Sequence, residues 1–249
     1  MQRFFVEENQ INMQNKTIQI LGEDVNHIKN VLRCKVGEQI EICNKQNGKA
    51  YLCEISIIAE NVEVNVLKEL ENNKESNIHI NIVQGLPKSD KMELIIQKGT
   101  ELGVKEFTPL TLKRCVVKID SKDEQKKIAR WQKHAEVAAK QCGRDIIPAV
   151  NNICNINTVM DMLKDYDLVL LAYENENKNT LKNEIQKIKN SNAKIAIIIG
   201  PEGGLEETEV EKLKQNGAKV VTLGNRILRT ETVAMVVTSI LMYELGDLG

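Results

Sequence analysis

The sequence predicts an α/β protein in two parts. A β-rich segment covers residues 1–70, and a strand–helix alternation after it implies a parallel sheet with covering helices. Three observations carry this. Strand-like runs at 39–43 and 49–57 flank Asn47-Gly48, a strong hairpin signal. From residue 78 onward, short apolar runs give way repeatedly to helix-like ones. Two glycine-bearing loops, 199–204 and 223–232, stand at successive strand ends, where open α/β sheets bind ligands.

Element by element, a helical turn or two is expected around 24–32, and 62–67 alternates as a further strand; a small barrel would hide these edges. Residues 68–77 are polar without apolar periodicity and read as the linker, giving domains 1–70 and 74–249. Then come a strand at 78–83, a helix over 89–102 stopped by Gly103, a strand at 107–110 and a helix over 122–142. Strands at 167–172, 194–199 and 219–223 are each followed by a helical segment, the last being 233–245. That helix is apolar on nearly all sides, so a second copy of the chain is expected to cover the face its own sheet does not. Thr230 or Thr232 is placed to cap it.

Composition narrows the function. The chain of 249 residues is 42% apolar with a net charge of −1, which is no global nucleic-acid signature. The charge is unevenly spread: 86–144 holds 14 Lys/Arg against 8 Asp/Glu, whereas 1–72 holds 8 against 11. A polyanion should therefore meet the middle of the chain. No export signal or membrane-length apolar run is present, and the six cysteines lack metal-ligand spacing. The expectation is a cytoplasmic protein with reduced thiols and no metal.

No two glycines stand two apart, which removes the dinucleotide fingerprint, and no phosphate-binding G-x-x-x-x-G-K-[ST] occurs. In Gly200-Pro201-Glu202-Gly203-Gly204, Pro201 fixes φ while the glycines permit close backbone approach. Glu206 and Glu207 open the next helix and would repel a phosphate, so the ligand is expected to be neutral or cationic. In the helix over 122–142, Ile128, Trp131, Ala135, Ala138 and Cys142 form a core stripe. Lys126, Arg130, Lys133 and Lys140 share the opposite face, with no acid of its own, and Arg144 projects past its end; a phosphate backbone suits this face.

With these pieces placed, the chain resembles the RsmE family of small-subunit ribosomal RNA uridine-N3 methyltransferases, in the SPOUT (trefoil-knot) superfamily. The likeness runs through Arg3-Phe4-Phe5, His27 with Val31-Leu32-Arg33, 88–98, 100–104, 114–118, Arg130-Trp131, 141–144, 199–205 and 223–232. It implies a PUA-like amino-terminal β-barrel for RNA and a knotted parallel-sheet domain that dimerises and binds S-adenosylmethionine. By the same likeness the donor lies among Leu171, Ala172, Tyr173, Ile199, Gly200, Pro201, Glu202, Gly203, Gly204, Leu223, Gly224, Asn225, Ile227, Leu228, Arg229, Thr230 and Thr232. RNA contacts are expected from Arg3, Lys29, Arg33, Lys126, Arg130, Lys133 and Lys140. The partner implied is 16S ribosomal RNA or the small subunit.

Uracil N3 is a weak acid, so the task is to stabilise its anion. Arg229, Arg114 and Arg144 are the candidates for that, and Glu231 or Glu202 for accepting the proton. Two other readings stay open at this level: methylation of another RNA position, and a non-catalytic RNA-binding assembly factor.

Overall fold

The computed structural model describes residues 1–71 and 74–249. They form two compact units, Met1–Glu75 with Ala139–Ile147, and Ser76–Ala138 with Pro148–Gly249.

The first unit contains β1 (Arg3–Val6), β2 (Ile11–Asn12), β3 (Thr17–Ile20), β4 (Gln39–Asn44), β5 (Ala50–Ile58) and β6 (Val62–Leu70). Helix α1 (Glu23–Asn26) continues into a wider turn at His27–Val31. The sheet order is β1-β4-β5-β6-β3-β2. No pairing among the described residues joins β1 to β2, so this is a half-barrel and not a closed one. Alternation supplies its core: Ile18, Ile20, Ile40, Ile42, Cys53, Ile55, Val62 and Val64 all point inward and are fully buried. The hairpin at Asn47-Gly48 forms, but its turn is longer than two residues. Asn44 N–H donates to Lys49 O, Gly48 N–H donates to Asn44 O, and of the pair only Gly48 has positive φ. Strand β6 runs to Leu70, into the expected linker; Asn72 and Asn73 lie outside the described residues. Strand β1, four residues buried throughout, shows no alternation and pairs in parallel with β4, a partner far along the chain.

Arg3 is 5% exposed and holds this unit together. Its guanidinium donates to Glu41 (2.8 Å), to Asp145 (2.6 Å) and to the carbonyl of Arg144 (2.9 Å). Arg144, 4% exposed, is in turn held by Glu75 at 2.6 Å. Neither guanidinium is left for RNA or substrate. These bonds count against the readings of Arg3 as an RNA contact and Arg144 as a catalytic group.

The second unit is the alternating half: β7 (His79–Gly85), α2 (Lys91–Glu101), β8 (Glu106–Thr111), α3 (Ser121–Cys142), β9 (Ala149–Val150), β10 (Cys154–Asn155), α4 (Ile156–Met162), β11 (Leu168–Ala172), α5 (Leu181–Ile185), β12 (Lys194–Ile199), α6 (Glu207–Gln215), β13 (Lys219–Val221) and α7 (Thr230–Glu244). Every pairing is parallel, in the order β10-β8-β7-β12-β11-β13, with β9 beside β8. Burial on both faces explains the nearly unbroken apolar runs of β7, β11 and β12. Gly103 ends α2 at φ +91°, as its position predicts.

Two helices depart from expectation. In α3, Trp131, Ala135 and Ala138 are buried, but the stripe continues through Ala139, and Cys142 is exposed. In α7, Ala234, Val237, Thr238, Leu241 and Met242 are buried within this chain, while Ile240 and Tyr243 are exposed. Met242 packs so closely on Gly103 that a Cβ there would lie 2.8 Å from its Cε. A charge at Met242 would therefore disturb the fold, whereas one at the exposed Ile240 probes association.

Removing the Arg3 side chain strands the carboxylate of Asp145, itself 3% exposed. Arg3→Ala is expected to cost about 3–5 kcal/mol, as for other broken buried ion pairs. Urea unfolding measures it, and a loss below about 1 kcal/mol contradicts the structural role of this pair.

Candidate active site

Strands β12, β11 and β13 are neighbours, so the loops that follow them emerge side by side. They enclose a cavity of about 540 Å³ lined by residues 172–174, 199–204 and 222–230, with Lys91 and Val233. Of the expected donor residues, Leu171 and Thr232 do not line it: Leu171 is fully buried in β11, and Thr232 lies in the first turn of α7. The others do line it. Arg226, left out of that set, also lines the cavity.

One hydroxyl ties two of these loops together. Thr230 Oγ1 donates to Gly200 O at 2.7 Å and accepts from Gln84 Nε2 at 2.8 Å. It thereby links the end of β12, the start of α7 and the end of β7. The helix cap is Arg229, whose side chain makes no capping bond. Thr230 thus bridges the loops and does not cap α7, and Thr232 does not cap it either.

Contact explains the glycines. A Cβ at Gly200 would meet Leu205 at 2.8 Å, and one at Gly203 would meet the Cβ and carbonyl of Arg114 at 3.0 Å. Gly204 adopts φ +70°, and a Cβ there would lie 2.6 Å from Glu174 Oε1. Gly85, at the end of β7, abuts Pro201 with no room for a side chain (2.7 Å). The segment after β8 is latched onto the same loop: Arg114 donates to Gly203 O (3.2 Å), Lys113 N–H to Glu209 (2.9 Å), and the Lys113 ammonium to Glu206 (2.9 Å).

Electrostatics then sort the acids. Lys91 sits between Glu202 (2.9 Å) and Glu231 (3.1 Å). Glu202 also accepts from the backbone N–H of Lys88 at 3.1 Å. Burial would raise the Glu202 pKa, but the Lys91 ammonium and the backbone donors outweigh it and hold the carboxyl below its ordinary range. A base so depressed and so paired is poorly suited to take a proton. Pairing with Lys91 counts against both Glu202 and Glu231 in that role. Arg226 and Arg229 are exposed and carry no side-chain partner among the described residues.

Besides Thr222, Arg226 and Val233 of the lining, four residues of the site were not expected from sequence: Gln84, Gly85, Lys91 and Glu174. Gly85 directly before Leu86-Pro87 was a usable signal of a close approach; Gln84 and Lys91 gave none, because their partners are over a hundred residues away. The basic face of α3 is also less free than expected. Arg130 meets Glu93 of α2 at 2.7 Å, Lys133 meets Glu136 at 3.8 Å, and Lys140 is held by Asp24 at 2.8 Å with only 15% of its side chain exposed. Lys140 is thereby removed from the expected phosphate contacts, whereas Lys126, Lys29 and Arg33 are exposed.

Two predictions test this architecture. Thr230→Val removes one of the acceptors of the buried Gln84 amide, which keeps its bond to Gly85 O at 3.0 Å, and strips Gly200 O of its donor; it should cost about 1–3 kcal/mol in urea unfolding, with Thr230→Ser restoring most of it. Because the Glu202 pKa is depressed, its contribution to stability is present above the ordinary carboxylate pKa and lost as pH falls through its folded value. Lys91→Met should flatten that acid limb of the stability–pH curve, and an unchanged limb contradicts the pairing.

Comparison with known proteins agrees with this geometry. A family model described as an RNA methyltransferase domain matches residues 74–242, and one described as an RNA methyltransferase PUA domain matches 20–67. The chain is 40% identical to ribosomal RNA small subunit methyltransferase E of Bacillus subtilis (strain 168), covering 98% of this chain and 97% of that protein. It is 31% identical to the protein of the same name from Mesomycoplasma hyopneumoniae (strain 232), over 94% and 96%. Among solved structures, ribosomal RNA small subunit methyltransferase E from Neisseria gonorrhoeae, bound to S-adenosyl methionine, superposes with a TM-score of 0.88 at 29% identity over the full length of both. A methyltransferase from Legionella pneumophila in complex with SAM gives 0.87 at 31% identity, over 99% and 98%. A half-barrel joined to a parallel sheet whose strand-end loops enclose one cavity, matched along nearly its whole length, places this chain in the RNA methyltransferase family whose curated members are named ribosomal RNA small subunit methyltransferase E.

Proposed function

We propose that the chain transfers a methyl group from S-adenosylmethionine to N3 of a uridine in 16S ribosomal RNA. The observation that carries the donor assignment is the cavity at the ends of β11, β12 and β13. Its apolar residues (Ile199, Leu223, Leu228, Val233) suit an adenine. Gly200 and Gly203 let the loop that walls it pack directly on Leu205 and Arg114, and Gly204 supplies its positive φ. When bound, the donor supplies an activated methyl group, so no metal is needed for the transfer. The family likeness and the SAM-bound relatives support the same reading.

The protein's share of the chemistry is to position the acceptor and stabilise its anion. Arg229 stands exposed at the cavity edge, and Arg114 is fixed on the far side of Gly203. Both are assigned to the uracil oxygens, where negative charge builds as N3 gives up its proton to solvent before it takes the methyl group from the sulfonium. Lys126, Arg130 and Lys133, with Lys29 and Arg33 of the half-barrel, are assigned to RNA phosphates, which position RNA without reading sequence. The domains proposed are 1–70 for RNA and 74–249 for transfer. A trefoil knot and a homodimer contacting through the exposed face of α7 complete the proposal, supported by family likeness and by Ile240 and Tyr243. The chain is placed in the cytoplasm with its ribosomal substrate; no helix among the described residues is long and apolar enough to cross a membrane.

Incubation of the purified protein and S-adenosylmethionine with unmodified small subunits, followed by mass mapping of nucleosides, tests the reaction. The expected product is 3-methyluridine at one site; methylation of a ribose or a purine overturns the assignment. Gly203→Val should weaken donor binding by about tenfold or more in calorimetry, because its branched side chain would strike the Arg114 backbone. Neutral replacements at Lys126, Arg130 and Lys133 should lower the salt dependence of RNA binding by roughly one unit of slope per lost phosphate contact. An unaltered slope in the triple variant leaves that face merely solvated.

A further inference from the structure

The cavity contains a carboxylate that neither the packing nor the proposed methyl transfer uses. Glu174 lies two residues beyond the end of β11 and lines the wall. It is exposed and has no hydrogen-bond or ion-pair partner among the described residues. The other two acids near the cavity, Glu202 and Glu231, are both occupied by Lys91. Glu174 is therefore the carboxylate of this wall whose charge nothing among the described residues neutralises.

The carboxylate lies over Gly204, where a Cβ would come within 2.6 Å of Oε1 and 3.8 Å of Oε2. Glycine at 204 thus serves its own positive φ and also keeps open the space that Glu174 occupies. The cavity is graded as well. Ile199 is 2% exposed at its depth, while Glu174, Arg226, Arg229 and the apolar Ile227 (86%) stand at the exposed edge. A ligand with an apolar ring and a charged tail fits that gradient in one sense, ring inward and tail outward.

We propose that Glu174 receives the α-ammonium group of the methyl donor and so selects ligands that carry the amino-acid end, a role that rests on the donor assignment proposed for this cavity. The two surfaces are complementary. The donor's tail presents an ammonium and a carboxylate, and the edge of the cavity presents the carboxylate of Glu174 and, besides the Arg229 assigned to the uracil, the guanidinium of Arg226, both without a partner among the described residues. A charge-assisted hydrogen bond from the ammonium to Glu174 satisfies a group that otherwise faces only water. Glu174 is a binding residue and takes no part in removing the uracil proton.

Calorimetry of the wild type, Glu174→Gln and Glu174→Asp with three ligands tests it. The ligands are S-adenosylmethionine, S-adenosylhomocysteine, which has the ammonium but no sulfonium, and methylthioadenosine, which lacks the amino-acid end. Glu174→Gln is expected to weaken the first two alike, by about tenfold, and to leave methylthioadenosine within about twofold. Glu174→Asp is expected to recover part of the loss. In turnover, KM for the donor should rise in the Gln variant while kcat at saturation stays within about threefold. Loss of S-adenosylmethionine affinity alone would assign Glu174 to the sulfonium and overturn the proposal. An equal loss for methylthioadenosine would assign it to the ribose or to the fold, and would overturn it too. A fall in kcat with unchanged affinity would make Glu174 the proton acceptor instead. Failure of the wild type to bind any of the three would strike the donor assignment itself, a result distinguishable from all of these.

Discussion

The hydroxyl of Thr230 holds the cavity together. Three strand-end loops can enclose a ligand only if their backbones are fixed relative to one another, and loops seldom fix themselves. Here one oxygen accepts from Gln84 and donates to Gly200, joining three elements inside the sheet's carboxyl edge. The glycines depend on that link. They allow close approach, and close approach requires that the facing backbone stay where it is. Pro201 against Gly85 and Arg114 against Gly203 are the two places where the loop has no slack.

Charge is arranged around this frame by subtraction. Lys91 neutralises two acids that would otherwise dominate the rim, and Lys113 neutralises Glu206 beside the same loop. At the cavity edge Arg226, Arg229 and Glu174 have no side-chain partner among the described residues. A carboxylate and two guanidiniums left free on one rim suit a zwitterionic ligand better than a polyphosphate. The composition of the loops alone, with their several Glu residues, offered no means of telling which acids were paired.

The half-barrel unit shows the same logic put to structural use. Arg3, Glu41, Asp145, Arg144 and Glu75 form a chain of buried ion pairs between β1, β4 and residues that arrive from beyond α3. Such pairs are costly to desolvate and contribute mainly when every member is satisfied. In sequence, an arginine near the amino terminus and another beside a basic helix read as groups free to meet RNA. Burial gave them a different role.

The sequence by itself determined a good deal. Periodicity located β4 to β8, the long helix α3 and the last three strands to within a few residues, because each is a local pattern of apolar side chains. The two glycine loops marked most of the cavity, since a strand end followed by a helix start in a parallel sheet has only one edge to occupy. Tertiary structure decided the rest. The short strands β9 and β10 hold two residues each, too few for any period, and β1 is defined by a parallel partner whose register begins at Glu41. The pairing of Lys91, the bridge through Gln84, the exposure of Glu174 and the burial of Arg3 and Arg144 all depend on residues brought together from distant parts of the chain. Local chemistry names the groups that are available, but whether a charge is free, paired or buried is a property of its neighbours in space.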